Sequence, residues 1–103
     1  MDKKTEKEMT ASTILKQIGN HCLVMIGATG LIATRSGVVF RIGRNKKGIN
    51  IIEIKLEADD TYTLIFSRLR QFEMTPIKEL TGVFYDQLTA SIGDVTGLVT
   101  ALF

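Results

Sequence analysis

The chain has 103 residues, with 13 Lys+Arg, 11 Asp+Glu, one His, one Cys and a formal charge of +2. That length suits one small domain, and 45% hydrophobic with 23% charged residues is the composition of a globular chain, not a disordered one. A single cysteine excludes an internal disulfide framework, and one His with one Cys cannot furnish a His/Cys structural zinc site.

No apolar run is long enough to span a bilayer, and Lys3, Lys4 and Lys7 are not followed by an uninterrupted apolar signal core. The expectation is a soluble, cytoplasmic domain with no membrane partner. Residues 1–9 are polar and alternate in charge, so they read as a flexible N-terminal arm ahead of a single domain over 10–103. Residues 10–19 (TASTILKQIG) read as a short helix. Thr10 or Ser12 is placed to cap it, Ile14, Leu15 and Ile18 share a face, and Gly19 is placed to end it.

The wholly apolar run at residues 22–26 (CLVMI) reads as a strand buried on both faces or central in a sheet. Gly27, Gly30 and Gly37 punctuate a turn-rich stretch with room for a short strand at 31–34. Residues 38–42 alternate, with Val38, Phe40 and Ile42 on one side and Val39 and Arg41 on the other. Residues 43–48 (GRNKKG) form a loop with glycine at both ends. Beyond it Ile52, Ile54 and Leu56 make one row, opposite Glu53 and Lys55, and Tyr62, Leu64 and Phe66 make the next.

The apolar rows predict a register. A two-residue turn at Asp59 and Asp60 would set Glu57 against Tyr62 and Lys55 against Leu64, mixing charge into the core row. An odd-length turn over residues 58–60 instead sets Leu56 against Tyr62, Ile54 against Leu64 and Ile52 against Phe66. The second register buries one clean stripe and is the one expected. By the same test Val38 pairs with Ile54, Phe40 with Ile52, and Ile42 with Asn50. Arg68 and Arg70 keep the parity of the core row, so either the strand leaves the core there or a bulge changes its facing.

Pro76 argues against a central strand at 74–78 and suits a connection. From Thr81 the pattern turns helical, with Phe84, Leu88 and Ile92 four apart and Val83 beside them. Gly93 is placed to close that helix, and Asp94 to cap a last one with Val95, Leu98, Val99 and Leu102 on one face. The expected fold is α+β: an N-terminal helix, three to five mostly antiparallel strands, and one or two C-terminal helices packed on one face of the sheet.

Charge is unevenly spread. Residues 35–55 hold Arg35, Arg41, Arg44, Lys46, Lys47 and Lys55 against Glu53 alone, a balance of +5, whereas residues 80–103 hold Asp86 and Asp94 and no base. Arg41, Arg44, Lys46 and Lys47, joined by Arg68 and Arg70 if the following hairpin strand returns beside the loop, are the candidate nucleic-acid contacts. Six bases at one end of a sheet suit phosphate. Tyr62 and Phe66 lie in the core row, so no exposed aromatic platform is expected.

Other constellations carry less. The spacing of Gly43 and Gly48 matches a P-loop, but Ile49 and Asn50 stand where Lys and Ser/Thr belong, and the dinucleotide fingerprint is absent. His21 and Cys22 are neighbours whose side chains diverge on a strand, which does not make a nucleophile–base pair. Asp59 and Asp60 read as turn formers, not metal ligands. Hence no enzyme, no cofactor and no metal are expected. The apolar C-terminus, with Leu98, Leu102 and Phe103, is either a final helix docked on the core or an interface for a protein partner or a second copy.

Several motifs, in this order, resemble a group of short uncharacterised proteins encoded by bacteriophages and other mobile elements of bacteria. They are residues 14–19 (ILKQIG), 25–28 (MIGA), 40–45 (FRIGRN) with 48–50 (GIN), 60–62 (DTY), and 82–88 (GVFYDQL) with 96–98 (TGL). The likeness spans about residues 12–102 and lapses at 29–37 and 70–79. It implies an intracellular accessory protein that handles nucleic acid or disables a host protein.

Overall fold

The computed structural model describes the backbone of residues 3–98 and the side chains from residue 10 to residue 98. Helix α1 spans Lys3–Ile18, so it begins within the segment expected as an arm. It buries Ala11, Ile14 and Ile18, one face at helical spacing. Gly19 takes φ 93°, a conformation open to glycine, and the chain restarts at once as α2, Asn20–Met25.

The strand expected at residues 22–26 is therefore a helix. A short apolar run has no periodicity of its own to separate strand from buried helix. The burial resolves it: Cys22 and Ile26, four apart, enter the core, while Val24 between them is 71% exposed. A strand would have buried Val24 along with them on the same face.

Five strands follow: β1 Thr29–Ala33, β2 Gly37–Arg41, β3 Ile51–Leu56, β4 Tyr62–Arg70 and β5 Glu73–Val83. They form one antiparallel sheet in the order of the sequence. Val38 pairs with Ile54 and Phe40 with Ile52. Leu56 pairs with Tyr62, Ile54 with Leu64 and Ile52 with Phe66. Ile42 donates its N–H to the Asn50 carbonyl at 3.1 Å, continuing the β2–β3 ladder.

The β3–β4 turn is the odd-length one. Glu57 donates to Thr61 O at 2.8 Å, leaving residues 58–60 as the loop, with Asp60 at φ 66°. Asp59 Oδ1 accepts from both the N–H and the hydroxyl of Thr61, at 3.2 and 2.6 Å. These bonds hold the Asp59 carboxyl below the usual carboxylate range.

The helices lie on one face of the sheet. Residues of α1 and α2, the inward row of β2, β3 and β4, Val83, and Leu88 and Ile92 of the last helix form one core. The Tyr62 hydroxyl donates to Gln17 Oε1 at 2.6 Å, tying sheet to helix. Burial pushes that hydroxyl's pKa up, and the bond to Gln17 offsets part of the shift.

The C-terminal half departs from expectation at several points. Residues 74–78 are not a connection but part of β5, which is an edge strand. Pro76 fits there because the outer side of an edge needs no N–H donor. The helix expected from Thr81 starts later: Val83 ends β5, a 3-10 turn spans Tyr85–Gln87, and α3 is Leu88–Thr96. Phe84 is 57% exposed and does not share the buried stripe of Leu88, Ile92 and Thr96. Gly93 lies inside α3; Gly97, at φ 75°, closes it and donates to Gly93 O at 2.8 Å. Asp94 thus lies within one helix and caps no second one.

Gly37 sits where β2 leaves its turn, and a Cβ there would run into the Ile54 carbonyl of β3. Gly37→Ala is expected to destabilise the fold by about 1–3 kcal/mol in urea unfolding, by forcing the two strands apart. The depressed Asp59 pKa sets a sign for acid. Its carboxylate stabilises the fold above its unfolded pKa of about 3.9, and that contribution is lost as pH falls through the lower folded value. The urea midpoint of Asp59→Asn should therefore lie below wild type at pH 7 and converge on it at strongly acidic pH.

Candidate nucleic-acid interface

The antiparallel order brings four segments to one end of the sheet: the end of α2, the start of β1, the loop at residues 43–48, and the β4–β5 reversal. Each arrives for a local reason. Gly43 donates to Ile26 O at 2.8 Å, joining the loop to the end of α2. Gly27, at φ 71°, faces the Gly43 backbone so closely that a Cβ would crowd it.

Asn45 organises the loop from inside. Its Nδ2 donates to Gly43 O at 3.0 Å and to Ile49 O at 2.6 Å, and its Oδ1 accepts from Ile49 N at 3.2 Å. An amide able to donate and accept at once satisfies three loop backbone groups that no ladder reaches. With Asn45 turned inward, Arg44, Lys46 and Lys47 are left exposed around it.

Asn50 does similar work at the base of the next hairpin. Its Nδ2 donates to Leu69 O at 2.9 Å and its Oδ1 accepts from Leu69 N at 2.7 Å. The side chain substitutes for a peptide and extends the β3–β4 ladder toward the tip.

Arg68 and Arg70 do reach this end. The β3–β4 register runs without a shift, so β4 simply leaves the core beyond Phe66; the irregularities lie in its pairing with β5. The two arginines have different positions. Arg68 is half-buried, donating from Nε to Gly48 O at 3.1 Å and from a terminal nitrogen to Lys47 O at 3.4 Å. It braces the basic loop. Arg70 is exposed at the end of β4, opposite Glu73. Arg41 is exposed on the sheet face away from the helices.

The fold also divides the basic stretch seen in the sequence. Lys55 pairs with Gly37, and Arg35 lies in the adjoining turn, so both sit at the far end of the sheet with Glu57, Asp59 and Asp60. What remains at the near end is Arg41, Arg44, Lys46, Lys47, Arg68 and Arg70 against Glu73. Among the described residues none of these six bases forms an ion pair; Lys55 and Glu53 approach at 3.9 Å elsewhere.

One feature of this end is not legible in the core-row pattern. The β4–β5 reversal is Gln71 and Phe72, at φ 51° and 68°, and the Phe72 side chain is fully exposed. An aromatic group therefore does stand beside the bases, contrary to the expectation drawn from Tyr62 and Phe66. The signal was available: SRLRQFEMTP breaks the apolar row, and Phe72 falls between two strand segments.

The other candidates resolve differently. Leu98 is half-buried against the core, and Leu102 and Phe103 lie outside the described residues. Cys22 is buried while His21 is exposed. Burial pushes the Cys22 thiol up, and a hydrogen bond with Thr89 offsets part of that. Among the described residues no three His, Cys, Asp or Glu side chains converge to hold a metal ion, and no helix is long and apolar enough to cross a membrane.

No family model matches the chain, and no curated protein or solved structure shows significant similarity to it. The likeness to phage-encoded proteins therefore rests on the quoted motifs alone.

Asn50→Ala would strip the Leu69 N–H and carbonyl of their partners. It should cost about 1–3 kcal/mol in denaturant unfolding, and hydrogen exchange should show Leu69 losing protection ahead of Leu64.

Proposed function

We propose that this chain is a non-enzymatic nucleic-acid-binding module that captures phosphate with the basic end of its sheet. The observation that carries this reading is the gathering of six bases, from strands β2 and β4 and the loop between β2 and β3, with Glu73 the one acid against them among the described residues. Phosphate recognition needs clustered positive charge without internal neutralisation, and it needs donors held in place. Asn45 and Arg68 hold the loop backbone, while Arg41, Arg44, Lys46, Lys47 and Arg70 keep their charged ends in solvent. Such a site gives salt-dependent affinity with little sequence preference. It also suits the accessory role that the motif resemblance implies.

A second reading, a protein-binding inhibitor of a host protein or a self-associating module, draws support from a different surface. Leu31 and Ile32 on edge strand β1 are 48% and 63% exposed. Leu31 lines an apolar groove of about 660 Å³ between α1, α2 and the sheet, together with Leu15 and Leu23 among others, while Ile32 points to the opposite face.

The test is light scattering on size-exclusion fractions with a mixed oligonucleotide at low and high salt. The nucleic-acid reading expects a complex at low salt that dissociates as salt rises. Replacing Arg41, Arg44, Lys46 and Lys47 with Gln should abolish it while leaving the unfolding midpoint unchanged, and single replacements should each lower the salt slope by about 1. Retained affinity in the fourfold variant overturns the reading. No complex, with a discrete dimer instead, transfers support to the protein-interaction reading.

A further inference from the structure

Phe72 is unfavourable twice over. A bulky side chain at φ 68° occupies a left-handed conformation that two-residue hairpin turns ordinarily give to Gly or Asn. Its ring is also 105% exposed, so it gains nothing from the core. A strained backbone carrying an exposed aromatic is a feature that folding alone does not explain.

Its surroundings supply a use. Phe72 stands at the mouth of a cleft of about 450 Å³, within the size range of small-molecule sites. Ile51 and Leu69 give the cleft an apolar floor, and Arg41, Thr29 and Gln71 give it a polar rim. The position of the floor is fixed, because Asn50 bonds both backbone groups of Leu69. Arg41 is the base that lines the cleft, and the exposed bases of the loop at residues 43–48 and Arg70 belong to the same end of the sheet.

A partly apolar slot beside an exposed ring, with the Arg41 cation at its rim, matches the chemistry of an unpaired nucleobase attached to its phosphate. The base offers a flat π-face to Phe72 and the phosphate offers charge to Arg41 and the loop. Paired bases in a duplex present no such face. We propose that this cleft is a base-stacking site that makes the module selective for single-stranded nucleic acid, with Phe72 as the stacking residue. The proposal rests on the phosphate-binding reading above and specifies its substrate.

The experiment uses the full chain and fluorescence anisotropy with a labelled single strand of mixed sequence and its blunt duplex. Two variants are compared with wild type, Phe72→Gly and Phe72→Trp. The glycine relieves the positive φ, so Phe72→Gly should unfold at an equal or higher urea concentration than wild type. It should bind the single strand about tenfold or more weakly, with duplex affinity unchanged within about twofold. The natural chain has no tryptophan. Phe72→Trp therefore adds a sole reporter, whose emission should be quenched on binding the single strand.

Equal single-strand affinity in wild type and Phe72→Gly, with salt-sensitive binding intact, overturns the stacking site and leaves the phosphate reading standing. Unquenched Trp emission in a saturated complex does the same. A loss confined to the duplex overturns it in favour of a wedge between paired bases. Binding to neither strand form overturns both readings together.

Discussion

The turn at residues 58–60 is the constraint on which the sheet depends. With three residues in the loop and Asp60 in a left-handed conformation, Leu56, Ile54 and Ile52 meet Tyr62, Leu64 and Phe66. A shift of one residue would turn the β4 apolar row away from α1 and α3. The Asp59 bonds to Thr61 hold that turn at the solvent edge, where no packing can. The same register decides the far end of the hairpin, because it sets how far β4 travels beyond the core. Arg68 and Arg70 are carried past Phe66 and arrive beside the loop at residues 43–48.

The basic end is built with polar side chains standing in for backbone. Asn45 closes the loop and Asn50 lengthens a ladder, each using both the donor and the acceptor of one amide. Arg68 is part of this scaffold, since its guanidinium is directed at loop carbonyls. Gly48, at φ 72°, leaves the space that the guanidinium fills, since a Cβ there would collide with Arg68. The arrangement separates two jobs that a count of charges merges. One base supports the loop backbone, and the others present charge to solvent.

The two edges of the sheet are managed differently. Edge strand β5 carries Pro76, Lys78, Glu79 and two register irregularities, features that discourage further strand pairing. Edge strand β1 is short and displays Leu31 and Ile32. The molecule thus has a charged end with an exposed ring and a separate apolar edge, which is why two functional readings attach to two distinct surfaces.

Much of the sheet was determined by the sequence itself, for a physical reason. Side chains alternate along a strand, so the rows at 38–42, 52–56 and 62–66 contain both the facing and, once charge is kept out of the core, the register. The helix of Ile14, Leu15 and Ile18 and its stop at Gly19 were equally local. Four features were decided only by tertiary structure. Residues 22–26 became helix because the core took Cys22 and Ile26 and left Val24 outside. Pro76 entered a strand because β5 has no neighbour on its outer side. Arg35 and Lys55 left the basic cluster because hairpin geometry carried them to the opposite end. Phe72 became an exposed ring beside Arg41 because a two-residue reversal, far from any core contact, left it no place to be buried.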